Sequence, residues 1–159
     1  MNDDLLPLLN KAYFFLKFRP RSEREIRDYL YKKVAKTHWS RGDADKIIEN
    51  LKEQELIDDG KFVEWFIRQR MTLKPKGERV LRRELLQKGV DEGLIDGYFS
   101  QNSVDEEALA RQILEVRWPR FKNLDSRKRF EKAVSFLGRR GFGFDVIKKT
   151  VKKLENESF

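Results

Sequence analysis

The strongest constraint in this sequence is that it repeats itself. Arg19 to Lys33 reads R-P-R-S-E-R-E-I-R-D-Y-L-Y-K-K, Lys74 to Lys88 reads K-P-K-G-E-R-V-L-R-R-E-L-L-Q-K, and the two align without a gap at a spacing of 55 residues. Pro20 falls on Pro75, Glu23 on Glu78, Arg24 on Arg79, Arg27 on Arg82 and Leu30 on Leu85. Such self-similarity marks stacked supersecondary units, each burying its apolar face partly against a neighbour. A looser third copy follows: R-R-G-F (Arg139 to Phe142) stands where K-K-V-A (Lys32 to Ala35) and Q-K-G-V (Gln87 to Val90) stood before.

Periodicity inside the units is helical and gives no convincing strand, so the fold class is all-α. Leu5, Leu6, Leu8, Leu9, Ala12, Phe15 and Leu16 form one apolar stripe, which Phe18-Arg19-Pro20 terminates. Ser22 with Glu25 three residues on is a capping-box signal, opening a helix that buries Ile26, Tyr29, Leu30 and Val34. Lys36 to Gly42 reads as a loop, with Asp43 and Asp45 at the positive end of the helix of Ile47, Ile48 and Leu51. Asp58 or Asp59 caps the helix of Phe62, Val63, Trp65, Phe66 and Ile67, on which Glu64 and Arg68 can pair outward. Ser103 with Glu106 predicts the start of a helix that stops near Trp118-Pro119. Phe130, Ala133, Val134 and Leu137 carry the next stripe. Gly141 and Gly143 allow the reversal into a last helix with Val146, Ile147, Thr150, Val151 and Leu154 inward. The units divide at residues 1–57, 58–102 and 103–159.

The charge is segregated. Residues 1–60 are neutral, 61–88 hold nine basic and three acidic side chains, 89–110 hold six acidic ones only, and 111–153 hold fourteen basic and four acidic. Such a pattern suits a polyanion or an acidic protein surface, the alternative being a solvated lysine- and arginine-rich face. With no cysteine, neither disulfides nor thiolate metal sites staple the fold, and a reduced, cytoplasmic compartment is the simplest home. No apolar run approaches a membrane span, and the start of the chain does not resemble a signal peptide.

Candidate contact residues follow from this charge. Arg79, Arg82 and Arg83 fall within about 100° of one another around a helix, opposite Leu81 and Leu85. Arg68, Arg70, Lys74 and Lys76 lie just upstream and Lys88 just beyond. Arg139, Arg140 and the outer face Lys148, Lys149, Lys152 and Lys153 form a second region. Arginine suits either carboxylate or phosphate because its planar fork grips two oxygens at once. Catalytic, cofactor and metal residues are not expected. Glu55, Asp58 and Asp59 surround a helix start and read as caps, the single His38 has no partner set, and Gly77 and Gly89 are joint and helix-end residues outside any phosphate loop. Phe62, Trp65 and Phe66 could stack on bases, but their helical spacing places them in the core, where Trp65→Ala costs about 3–5 kcal/mol.

L-I-D-D-x-x-F-x-x-x-F-I-R-x-R at Leu56 to Arg70, K-G-E-R-V-L-R-R-E-L-L-Q-K-G-V at Lys76 to Val90, and R-R-G-F followed by F-D-V-I resemble the RecX family of recombination regulators, over about Leu8 to Leu154. The resemblance implies three tandem three-helix units forming an elongated, curved, non-enzymatic protein that acts as a monomer. Its implied partner is the RecA filament on single-stranded DNA. It would lodge in the filament groove, bridge protomers and reduce strand exchange, ATP turnover and co-protease activity, within DNA repair and the SOS response. A helical module acting directly on single- or double-stranded DNA is the alternative, because three-helix units with basic ridges also imitate helix-turn-helix packing.

Overall fold

The computed structural model describes residues 2–158, with Ser158 lacking a described side chain. Among these residues are nine α-helices and no strand: α1 (Leu6–Phe18), α2 (Glu23–Val34), α3 (Arg41–Glu53), α4 (Asp59–Leu73), α5 (Glu78–Gln87), α6 (Glu92–Gln101), α7 (Glu106–Arg117), α8 (Ser126–Arg139) and α9 (Phe144–Ser158). They fall into three sets of three, as the repeat requires.

Local chemistry explains the boundaries. Ser22 and Glu25 form the expected box, each satisfying an amide at the start of α2. At α3 the cap is Ser40 rather than the carboxylates alone: Ser40 Oγ accepts from the Asp43 amide and Asp43 accepts from the Ser40 amide. Asp45 instead accepts from the Tyr31 hydroxyl at 2.7 Å. At α7 the cap is Asp105, accepting from Ala108, and not Ser103. Glu64 and Arg68 are exposed and form no ion pair among the described residues.

The first set closes on Leu8, Leu9, Ala12, Ile26, Leu30, Ile47, Ile48 and Leu51, with Leu6 left 44% exposed on the outer side of α1. The third closes on Ala110, Leu114, Ala133, Phe136, Leu137, Phe142, Ile147, Val151 and Leu154. Thr150 is buried beside them and donates its hydroxyl to the Val146 carbonyl at 2.7 Å, which removes the penalty of an unpaired polar atom.

The chain forms two compact units that cut through the middle set. One holds the chain up to Phe66 with Leu85–Tyr98, and the other holds Ile67–Glu84 with the chain from Phe99 onward. Each contains one junction between consecutive sets, and the two junctions use the same parts. In the first, the Glu23 amide at the start of α2 donates to Asp59 Oδ1 at 2.9 Å, Ser22 Oγ donates to the Lys88 carbonyl at 2.6 Å, and Arg24 lies over Gly89. In the second, the Glu78 amide donates to Glu106 Oε1 at 3.0 Å, the Gly77 amide donates to the Arg140 carbonyl at 2.6 Å, and Val80 lies over Gly141. A carboxylate at the start of one set's first helix thus satisfies an orphan amide of the preceding set's second helix.

Glycine is required at the receiving end. Gly89 and Gly141 have φ of +80° and +95°, and a Cβ there would fall 2.2 Å from Arg24 Cδ and 2.6 Å from Val80 Cγ2. The exchange of Ser22 for Gly77 in the repeat has the same origin, since a Cβ at Gly77 would lie 2.7 Å from the Gly141 carbonyl oxygen. Because the obstructing atom is backbone, we expect Gly77→Ala to destabilise the protein by about 1–3 kcal/mol, read from urea unfolding midpoints.

Burial pushes the Asp59 and Glu106 carboxyls above their ordinary range despite the amides they accept from. Glu106 Oε2 is buried with no hydrogen-bond partner among the described residues. A raised acid stabilises the fold below its unfolded value, and that stability is lost as pH rises through the folded one. We therefore expect wild type to gain on Glu106→Gln as the pH falls from about 7 to about 4, measured as the difference between their unfolding free energies, in which unrelated carboxylates cancel.

Candidate functional site

The predicted cationic positions separate into those with internal partners and those left exposed. Arg70 and Lys76 converge on Glu84, Arg70 Nε at 2.6 Å. Burial works to raise the Glu84 carboxyl, but hydrogen bonds from both cations hold it below its ordinary range. Arg82 pairs with Glu78 at 3.0 Å and lies 4.9 Å over the Phe99 ring, so it turns away from its neighbours. Lys88 is half-buried at the first junction, 3.8 Å from Glu25. Arg140 is half-buried, donating to the Pro75 carbonyl at 3.2 Å.

Arg68, Lys74, Arg79 and Arg83 are exposed and carry no ion pair among the described residues. The ridge on α5 therefore presents Arg79 and Arg83. On the outer face of α9, Lys148 and Lys152 are likewise exposed, while Lys149 and Lys153 share Glu107 at 3.2 and 4.0 Å. Arg139 is exposed at the end of α8, with Nε on the Ser135 carbonyl.

A cationic feature absent from the sequence reading lies between the end of α7, the turn Trp118–Phe121 and α8. A cleft of about 630 Å³ there is lined by Arg117, Arg120, Lys132 and Arg139 and by no Asp or Glu. The signal available in the sequence was only the excess of fourteen basic over four acidic residues in 111–153.

The remaining candidates have structural explanations. His38 is exposed, with Nε2 3.1 Å from Asp4 Oδ1, and Trp39 Nε1 donates to the Asp4 carbonyl, tying down the start of the chain. Asp58 Oδ1 accepts from the Lys61 amide at the start of α4. No group of three or more His, Cys, Asp or Glu suited to a metal ion is present among the described residues. No helix among them is long and apolar enough to cross a membrane.

Trp65 departs from its core assignment. Its ring is half-buried, 5.9 Å from Phe62 and 5.7 Å from the Arg19 guanidinium, and it lines an open cleft with Phe18 and Pro20. Less area leaves water at such a site than at a closed one. We expect Trp65→Ala to cost about 2 kcal/mol in urea unfolding, below the range for a fully buried aromatic.

Repeated three-helix sets with exposed cationic faces define an α-helical repeat protein. Residues 9–35, 58–97 and 105–151 match the family models described as the first, second and third three-helix domains of RecX, in that order. The chain belongs to the RecX family. It is 34% identical over 153 residues to the regulatory protein RecX of Oceanobacillus iheyensis, covering 92% of this chain and 54% of that one. It is 32% identical over 149 residues to the regulatory protein RecX of Streptococcus thermophilus, covering 94% and 56%. The chain thus spans about half the length of these curated relatives. The crystal structure of RecX from Lactobacillus salivarius has the same fold, with a TM-score of 0.80 at 23% identity over 98% of this chain and 99% of that one.

Proposed function

We propose that this protein regulates a RecA recombinase, mainly by inhibition, binding the groove of the RecA filament on single-stranded DNA and bridging its protomers. Strand exchange, ATP turnover and co-protease activity fall as a result, and the protein acts as a cytoplasmic monomer in DNA repair and the SOS response. The observation that carries this reading is the ordered match of three RecX domains on a chain whose relatives are named regulatory proteins. Within it, the units run over residues 1–57, 58–102 and 103–159.

The contact surface we assign is narrower than the full set of basic residues. Arg79 and Arg83 on α5, with Arg68 and Lys74 near the end of α4, are exposed without an ion pair among the described residues and suit acidic or phosphate groups. Arg70 and Lys76 instead tie the end of α4 and the following loop to α5 through Glu84, and Arg82 pairs with Glu78 within α5. Lys148 and Lys152, with Lys149, Lys153 and Arg139, give a second contact region. Exposed cations of this kind govern encounter rate and salt sensitivity, and their reversal leaves the core intact.

The test is a titration of the RecA ATPase on single-stranded DNA. Wild type is expected to inhibit, and Arg79→Glu/Arg83→Glu to need at least about tenfold more protein for the same inhibition while keeping its helical circular dichroism. Undiminished inhibition by the folded double variant would remove α5 from the interface. Tighter binding to bare DNA than to the assembled filament would overturn the regulatory reading.

A further inference from the structure

We propose that the surface around Phe136 docks an acidic peptide segment carrying an apolar anchor residue. Two adjoining depressions share Arg117 and Phe136. One is the 630 Å³ cleft described above, whose Arg117, Arg120, Lys132 and Arg139 form no ion pair among the described residues. The other is a groove of about 260 Å³ lined by Pro75, Ile113 and Val116, again with no Asp or Glu. Val116 is 79% exposed and free to meet an apolar group.

Two of the cations here are held in place before any partner arrives. The guanidiniums of Arg117 and Arg140 lie 4.3 and 4.8 Å over the Phe136 ring. Burial, and then the charge of Arg117, hold the Arg140 guanidinium below its ordinary value. Elsewhere in the same compact unit strong cations have their acids at hand, Arg129 on Glu155 and Arg111 on Glu157. Around Phe136 the positive charge is concentrated with no Asp or Glu lining either depression among the described residues, so an anionic partner relieves repulsion as well as forming contacts.

The groove decides which anion. An aliphatic recess beside fixed guanidiniums matches a leucine- or isoleucine-like side chain flanked by carboxylates, the pairing by which short acidic motifs are read. A single nucleic-acid strand would use the charge but leave the recess unfilled. Base stacking needs an open aromatic face, and Phe136 is only 7% exposed beneath its two arginines.

Fluorescence anisotropy with labelled synthetic probes tests the assignment: a short Glu/Asp peptide with one central leucine, the same peptide with alanine there, and an oligothymidylate of equal length. We expect the leucine peptide to bind at least about tenfold more tightly than the alanine peptide, the worth of one buried aliphatic side chain. Val116→Ser should erase that preference, and Arg120→Glu/Arg139→Glu should weaken both peptides. Equal binding of the two peptides, indifference to these exposed substitutions, or tighter binding of the oligothymidylate would each overturn it. The assay contains no recombinase, so its failure and the failure of the regulatory reading are separate results.

Discussion

Every helix begins with amides that its own backbone cannot satisfy, and this protein uses that need to join its units. The Glu23 amide of α2 is met by Asp59, and the Glu78 amide of α5 by Glu106, each carboxylate standing at the first residue of the next set's first helix. A second contact fixes the rotation of the joint, because Ser22 Oγ or the Gly77 amide meets the carbonyl just before a left-handed glycine. The unit that folds as a compact body is consequently the junction with its surroundings, and the helices of the middle set are divided between two such bodies.

The same economy governs the charges. Glu84 gathers Arg70 and Lys76, Glu78 takes Arg82, and Glu25 gathers Arg19 and Lys88 at the first junction. These pairs are partly screened and individually worth little, but they set side-chain direction. Outside these pairs remain Arg68, Lys74, Arg79 and Arg83, Lys148 and Lys152 on α9, and the cluster around Phe136.

The helices and their tandem order were legible because they rest on local signals: periodicity, the Ser22–Glu25 box and the 55-residue repeat. Misplacements have a physical origin in contacts remote along the chain. Ser103 and Glu106 have the spacing of a capping box, yet Glu106 is drawn to the Glu78 amide and Asp105 caps α7 in its place. The Glu78–Arg82 spacing of four was a local signal that separates Arg82 from Arg83, but the Phe99 ring over which Arg82 lies is remote along the chain. Likewise Arg117, Arg120 and Lys132 are scattered through the sequence, and only the turn at Trp118–Phe121 draws them to one cleft with Arg139.

The glycines at the ends of α5 and α8 give the array a polarity. Gly89 and Gly141 are seats, each receiving the start of an earlier helix, whereas the corresponding residue of the first set, Val34, completes α2 as an ordinary buried helical residue. Giver and receiver are different surfaces, so the joint is head-to-tail. A joint of that kind sets the order of units without setting their number. Lengthening or shortening such a protein during evolution would therefore require no new interface, only another copy of one already in use.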